Sequence, residues 1–409
     1  MPTQKIKVHF IGIGGIGISA LAQYYLAQGL QVSGSDLVSS EITKSLEKMG
    51  IKISIGKNVF KKDADLTIYS PAVNVRRRTS NILSYPEALG NLTKKHFTIA
   101  VCGTHGKSTT TAMLSLILIK AGFDPTVIVG TKVKEFGDSN FRLGKSRYLV
   151  IEACEYDESF MNYEPKIIVI TNIEAEHLDY FKTFQNVLKA FRQFAKKLPK
   201  DGILIDEKKY KKTREASNLR KILKVPGEYN VANALAALAA ARALKIPDKT
   251  SYQALADYQG SWRRFEEREL KIGNCKLKIV SDYGHHPTQI KATLRAARDK
   301  WPHRQIWCVF QPHQYQRTYY LFNDFVRVFK EAPVDRLIIT DIYDVAGREE
   351  TKIKKQVRAE KLISSINQKW ANFVAKNDII DYLKKYLKGG EVVIFMGAGD
   401  IYGVDKKFV

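Results

Sequence analysis

The chain has 409 residues, 44% of them hydrophobic, which is too long for one core and enough for two or three domains. Its formal charge is +24, but the Lys and Arg residues run along the whole chain, densest from Lys196 to Lys224 and from Lys352 to Lys361. They lack the interleaved aromatics of a single-strand nucleic-acid groove, so a solvated basic surface that also attracts polyanionic small molecules is expected, and nucleic acid is not.

No apolar run reaches membrane-spanning length, and the first residues lack the charged-then-apolar pattern of a signal peptide. Cys102, Cys154, Cys275 and Cys308 are too widely spaced for a metal site. A cytoplasmic enzyme with reduced thiols and no membrane contact is expected.

Lys5 to Ile11 reads as a strand, followed by the turn Gly12-Ile13-Gly14-Gly15-Ile16-Gly17 and an amphipathic helix from Ile18 to Gln28. A second strand, Gln31 to Asp36, ends on an acid. Together they form a βαβ unit in which backbone approaches a diphosphate and an acid about 20 residues on reaches a ribose hydroxyl. Two further β-α steps pass through Ile51 to Ile55 and Leu66 to Ser70, and the polar stretch Asn91 to His96 places a boundary near residue 94.

The apolar run Phe97 to Cys102 leads into Gly103-Thr104-His105-Gly106-Lys107-Ser108-Thr109 and a helical stretch, Thr110 to Leu118. A buried parallel strand that turns into a helix aims the first helical N–H groups at one point, a cradle for phosphate. Gly103 and Gly106 permit close approach, Lys107 brings a charge to the outer phosphates, and Ser108 brings a hydroxyl for Mg²⁺. Val101 stands where the general P-loop pattern has its leading glycine, so this is a shortened variant.

Tyr148 to Glu152 and Ile167 to Asn172 are continuous apolar runs, as in strands buried on both faces of a parallel sheet. Ligands sit outside the carboxyl ends of such strands. Glu152 and the cluster Asn172, Glu174, Glu176, His177 and Asp179 are therefore expected in the crevice of Lys107, where carboxylate and imidazole suit metal-assisted phosphoryl transfer. From about Gly260, three more strand ends carry polar groups: Asp282-Tyr283-Gly284-His285-His286-Pro287, Val309 to Thr318, and Val392 to Asp400. They suggest a third Rossmann-like unit, although paired histidines before a proline also suit a helix cap.

These motifs, together with Glu155, Gly227 to Ala234 and Arg263-Arg264-Phe265-Glu266, occur in an order that resembles the Mur ligases, the ATP-dependent amino-acid ligases of peptidoglycan precursor synthesis. The resemblance covers essentially the whole chain. It implies an α/β protein of three domains: a Rossmann-like N-terminal domain over 1–93, a central P-loop ATP-binding domain with a mostly parallel sheet over 94–259, and a Rossmann-like C-terminal domain over 260–409. The double-glycine turn and the Asp282 to Pro287 and Gln311-Pro312-His313 motifs point to the member that adds L-alanine to the lactyl carboxylate of UDP-N-acetylmuramate, through an acyl phosphate. Small-molecule partners are implied, with ATP and Mg²⁺ as cofactors and a monomer or weak homo-oligomer.

By the same resemblance, Gly12, Gly14, Gly15 and Gly17 would hold the UDP-sugar diphosphate, with Ser35 and Asp36 near the nucleoside and Ser70 and His105 also on the sugar substrate. Gly103, Thr104, His105, Gly106, Lys107, Ser108 and Thr109 would hold ATP, with Asn230 and Asn233 by the adenine and Arg264 at the phosphates. Ser108 and Glu152 would bind Mg²⁺ and His177 a second metal ion, while Tyr283, His285 and Arg317 would receive the alanine carboxylate. Lys107, Glu152, His177, Arg264 and His285 are the residues expected to carry the chemistry.

Four departures from the family pattern stand out. Tyr229 replaces a usual histidine, Gln314 replaces a frequent arginine, Cys154 and Tyr156 replace acidic or small residues, and the Lys-rich stretch Asp206 to Pro226 is short, so the central domain looks trimmed. A ligase that adds a whole peptide to the same sugar is the alternative within the family. A nicotinamide oxidoreductase would leave the P-loop and His285-His286 without a role, and a nucleic-acid translocase lacks a binding module.

Overall fold

The structure is a computed structural model and describes residues 5–75, 79–210, 214–272, 275–345 and 351–407. Contacts divide the chain into two units, one of residues 1–174, 185–222 and 232–258, the other of residues 175–184, 223–231 and 259–409. The described residues form three sheets, two in the first unit and one in the second.

The first sheet contains β1 (Lys7–Ile11), β2 (Gln31–Asp36), β3 (Lys52–Ile55), β4 (Leu66–Tyr69) and β5 (Ile82–Ser84), ordered β3-β2-β1-β4-β5 and parallel throughout. Strand order reverses between β1 and β4, and β1 runs into the glycine turn there, the switch point at which such sheets open a ligand crevice. The helix that follows spans Ile16–Ala27 and starts earlier than its apolar period indicated. With only three residues, β5 is too short for a period to show.

The second sheet contains β6 (Phe97–Cys102), β7 (Thr126–Val133), β8 (Ser139–Arg142), β9 (Tyr148–Glu152), β10 (Ile167–Ile170) and β11 (Ile203–Ile205), ordered β11-β10-β6-β9-β7-β8. Only the β7–β8 pair is antiparallel among these. The P-loop strand β6 lies between β9 and β10, with Val101 level with Glu152 on one side and Val169 on the other. Register therefore brings the ends of three strands together. Beyond the edge strand β11, Tyr210 is buried and donates its hydroxyl to the carbonyls of Ile170 and Thr171, at 3.0 and 2.7 Å, pinning the short lysine-rich segment to the end of β10. Within Asp206 to Pro226, residues 211–213 lie outside the described residues.

A buried polar lock joins the second sheet to the helix Ile16–Ala27. Asn140 of β8 donates to the Ser19 hydroxyl at 2.9 Å and to the Ile16 carbonyl, and accepts from Gln23 Nε2 at 2.8 Å. Asn140→Ala leaves the buried Gln23 amide and the Ile16 carbonyl without that partner. The expected loss is about 1–3 kcal/mol, read as a lower denaturant midpoint at unchanged slope; a midpoint like that of the wild type would show that the lock contributes nothing.

The third sheet contains β12 (Glu266–Ile272), β13 (Cys275–Asp282), β14 (Ile306–Phe310), β15 (Arg336–Ile339), β16 (Ala371–Phe373) and β17 (Val392–Met396), ordered β12-β13-β17-β14-β15-β16. Here β12 and β13 form an antiparallel hairpin, and the other pairs are parallel. Alternate residues feed two cores: Val392, Ile394 and Met396 of β17 pack in one with Phe325 and Phe329, while Val393 and Phe395 pack in the other with Trp307 and Ile401. A strand covered on both faces reads as an unbroken apolar run for this reason. The three-domain, mostly parallel α/β architecture is the one the family resemblance implied, with two hairpins added.

Candidate active site

The P-loop is built by close packing of backbone. Gly103 has φ +133° and a Cβ there would lie 2.0 Å from Thr171 Oγ1; at Gly106, φ is +80° and a Cβ would lie 2.1 Å from Asn233 Oδ1. Both glycines are therefore required by the turn and by its neighbours. Asn172 clasps the loop: its carbonyl accepts from Thr104 N–H at 3.0 Å, and its Oδ1 accepts from His105 N–H at 2.9 Å. The Thr104 hydroxyl accepts from Glu174 N–H at 2.8 Å, and His105 Nε2 is 3.5 Å from Glu174 Oε2. The helix Lys107–Lys120 starts at Gly106 with no side-chain cap, so its first N–H groups carry the positive end of the dipole into the loop.

Lys107 does not point into solvent. Its ammonium donates to the carbonyls of Gly103 at 2.6 Å and Thr104 at 3.2 Å, and pairs with both Glu155 oxygens at 3.1 and 3.0 Å. Glu155 is 2% exposed, and sequence reasoning assigned it no role, because nothing local links it to a lysine 48 residues away. On the other side of the loop, Ser108 Oγ donates to Glu152 Oε2 at 2.7 Å, and Gly130 N–H donates to the same oxygen at 2.9 Å. A hydroxyl and a carboxylate adjoining a phosphate cradle are hard oxygen donors, and this set fits Mg²⁺. Thr109 is buried in the first helical turn, and Asn233 reaches the loop, 3.3 Å from Thr110 Oγ1.

In the N-terminal turn, Gly12 N–H donates to the Ser35 carbonyl at 2.8 Å and Gly14 N–H to Asp36 Oδ2 at 2.8 Å. Asp36 thus faces the glycine loop. Ser35 is fully buried, its hydroxyl accepting from Val59 N–H at 3.0 Å. Ser70 closes the turn from β4, its N–H donating to the Ile11 carbonyl at 2.9 Å and its Cβ 2.9 Å from a Cβ built at Gly12. Gly15 precedes the first helical turn, and Gly17 lies within it, under the Tyr85 ring.

Glu176, His177 and Asp179 belong to the second unit, whereas Asn172 and Glu174 stay with Lys107 in the first. His177 has φ +55° at the head of the helix Leu178–Phe181. The paired histidines have different partners. His286 caps the helix Pro287–Lys300, its Nδ1 accepting from Thr288 N–H at 3.3 Å, while His285 Nδ1 lies 2.9 Å from the Tyr283 carbonyl and its Nε2 lies 3.4 Å from Glu176 Oε1.

Arg317 Nη2 is 3.2 Å from the same Glu176 oxygen, and its Nη1 approaches the carbonyl and Nδ1 of His313 at 3.1 and 3.0 Å. Burial, then the Arg317 guanidinium, push His285 down to about 4. Burial alone would raise Glu176, yet its basic surroundings hold it well below the usual carboxylate range. A neutral His285 with its proton on Nδ1 has none for Glu176, so we assign that ionisation chiefly to Arg317.

Two guanidinium groups, those of Arg263 and Arg264, lie over the Tyr283 ring, each 4.9 Å from its centre. Arg263 is buried, stacks on Tyr402 at 4.3 Å, and donates to the carbonyls of Gly397 and Gly399 at 2.5 and 3.1 Å, anchoring the last glycine turn. Asp282 accepts from Phe265 and Gly284 N–H at 2.8 and 2.7 Å. Gln314 has φ +74° and lines a small cleft with Glu176, His177 and Arg317. Tyr229 packs against the core of the second unit, and Asn230 Nδ2 donates to the Pro226 carbonyl at 2.7 Å.

Three family models match the chain in order: the Mur ligase family catalytic domain over residues 7–97, the Mur ligase middle domain over 101–222, and the Mur ligase glutamate ligase domain over 263–399. The UDP-N-acetylmuramate–L-alanine ligase of Acetivibrio thermocellus is 39% identical over 100% of this chain and 96% of its own, in an alignment of 465 positions that exceeds the 409 residues present here. That of Clostridium tetani is 40% identical over 98% of each chain. The solved UDP-N-acetylmuramate-alanine ligase of Thermotoga maritima superimposes with a TM-score of 0.78 at 27% identity over 98% of both chains. A murein peptide ligase of Psychrobacter arcticus shares the fold, with a TM-score of 0.70 at 22% identity over 98% of both. With this agreement along its whole length, the chain belongs to the Mur ligase family.

Proposed function

We propose that the enzyme joins L-alanine to the lactyl carboxylate of UDP-N-acetylmuramate, converting ATP to ADP and phosphate by way of an acyl phosphate. The observation that carries this reading is the full-length likeness to curated alanine ligases at 36–40% identity. The P-loop geometry supports the ATP half-reaction.

In the first step the lactyl carboxylate attacks the γ-phosphorus, the bond from the γ-phosphorus to the bridging oxygen breaks, and ADP leaves. Two anions must approach, so the charge on the transferring group is the main obstacle. Lys107 offsets it by leaving Glu155 and the loop carbonyls for the phosphates, and the uncapped N–H groups after Gly106 add their dipoles. Ser108 and Glu152 would hold Mg²⁺, which spreads the phosphate charge when bound. In the second step the alanine amine attacks the acyl carbon and phosphate leaves, so no protein nucleophile is needed. Arg317, Tyr283 and His285 receive the amino acid, Arg264 approaches the ATP phosphates, and Asn233 and Asn230 serve the adenine. His177 is assigned to a second metal ion. Gly12, Gly14, Gly15, Gly17, Asp36 and Ser70 form the UDP-sugar end, with Ser35 setting the path of the chain.

The domain limits at 93 and 259, a central domain trimmed between Asp206 and Pro226, a monomeric or weakly associated state and a cytoplasmic location form part of this reading. No helix among the described residues is long and apolar enough to cross a membrane.

The deciding assay is ADP release by purified protein with UDP-N-acetylmuramate, Mg²⁺, ATP and each amino acid in turn. Release with L-alanine is expected. Release with a tripeptide alone would select the peptide-adding ligase, and tight nicotinamide binding without ADP release would select the oxidoreductase.

A further inference from the structure

Glu176 is a buried acid placed where two groups assigned to the acceptor amino acid converge. It is 6% exposed, with Oε1 3.2 Å from Arg317 Nη2 and 3.4 Å from His285 Nε2. All three residues lie in the second unit, and Glu176 and Arg317 share the wall of one cleft with His177 and Gln314.

Two features of the cluster bear on what it accepts. A guanidinium has five N–H donors; Nη1 of Arg317 is directed to His313 and Nη2 to Glu176, which leaves donors for a second carboxylate. The Tyr283 carbonyl, 2.9 Å from His285 Nδ1, can only accept, so the single proton of a neutral ring sits on Nδ1. Nε2 then faces Glu176 with a lone pair. Two acceptors 3.4 Å apart are satisfied best by a cation that carries several protons.

An α-amino acid supplies both complements on one carbon: an anion for Arg317 and a three-proton ammonium for the acceptor pair. We propose that Glu176, together with His285 Nε2, receives the α-ammonium group of the acceptor amino acid while Arg317 holds its carboxylate. Insertion of the zwitterion turns one internal ion pair into two ion pairs with the substrate, so the buried charges stay compensated throughout. The cleft thereby reads the amino acid at both ends and rejects acids that lack the amine. An ammonium held by a carboxylate and a basic nitrogen is also oriented toward the group that takes its proton before attack.

This assignment rests on the amino-acid ligase reading, and the test separates the two. Steady-state ADP release gives KM for L-alanine, and competition by L-lactate, in which a hydroxyl replaces the ammonium, gives KI. Both are measured for the wild type, Glu176→Gln and Glu176→Asp. Glu176→Gln is expected to raise KM for alanine roughly 10-fold or more, as for loss of a charge-assisted hydrogen bond, and to change KI for lactate less than about 3-fold.

Glu176→Asp keeps the charge on a shorter stem and should retain more of the preference for alanine over lactate than Glu176→Gln does. A merely structural carboxylate would shift alanine and lactate together. Equal shifts, no shift, or a preference as low in Glu176→Asp as in Glu176→Gln would overturn the assignment, and if Glu176→Gln does not fold, the same ratio in Glu176→Asp against the wild type decides. A wild-type protein that releases ADP with no amino acid at all would overturn the ligase reading itself.

Discussion

Lys107→Met is expected to lower alanine-dependent ADP release by about 10³-fold or more, the scale of losing a charge aimed at a transferring phosphoryl group. The same change also removes the partner of Glu155, which is 2% exposed and touches the ammonium through both oxygens. A buried acid deprived of its cation costs about 3–5 kcal/mol, so part of any loss could come from instability. Lys107→Met/Glu155→Gln separates the two effects. With both charges gone the denaturant midpoint should return most of the way to that of the wild type, while ADP release should stay as low as in Lys107→Met. Activity retained in the single variant would refute the phosphate role of Lys107. Activity restored in the double variant would show that Glu155, left alone, was the inhibitory element.

Gly103→Ala should be nearly as severe, for a steric reason. Its backbone has φ +133°, and a Cβ would stand 2.0 Å from Thr171 Oγ1, 2.9 Å from the Asn172 carbonyl oxygen and 3.0 Å from Asn172 N. Overpacking and backbone strain together cost about 3 kcal/mol or more. The loop can relieve them only by moving away from β10, so a further loss of about 10²-fold in ADP release is expected from misplacement of the cradle. Gly122→Ala is the control: φ is +79°, but a Cβ there meets nothing within 4 Å. It should cost only about 1–2 kcal/mol, with ADP release intact. Equal effects of the two changes on stability and activity would show that strain alone, without the clash, sets the requirement at Gly103.

The motif assignments that sequence supported most firmly are those whose physics is local. The stretch from Phe97 to Lys120 declares strand, loop and helix within one span, because a doubly covered strand is an unbroken apolar run and a phosphate loop needs its glycines in place. Glu152 followed from the same logic, as the last residue of an apolar strand in a parallel sheet, and the structure sets it 2.7 Å from the Ser108 hydroxyl. The hairpins β7–β8 and β12–β13 were not legible. Their strands mix charged and apolar residues, as in Glu266–Ile272, where one side of an edge strand faces water.

The cluster from Asn172 to Asp179 shows the limit most directly. Sequence read it as one run behind one buried strand, facing the crevice of Lys107, and gave no sign that the chain passes from the first unit to the second after Glu174. Where a segment changes unit is set by long-range packing and leaves no mark on local composition. His285 and His286 are a second case, identical in type and adjacent, yet one caps a helix and the other faces Glu176. The amino-acid sequence by itself determined the three α/β repeats, the triphosphate loop and the strand ends that bear polar groups, because periodicity and turn chemistry act over a few residues. Only the tertiary structure decided which charges meet, Lys107 with Glu155 and Arg317 with Glu176, because burial makes a pair obligatory only after distant segments have been brought together.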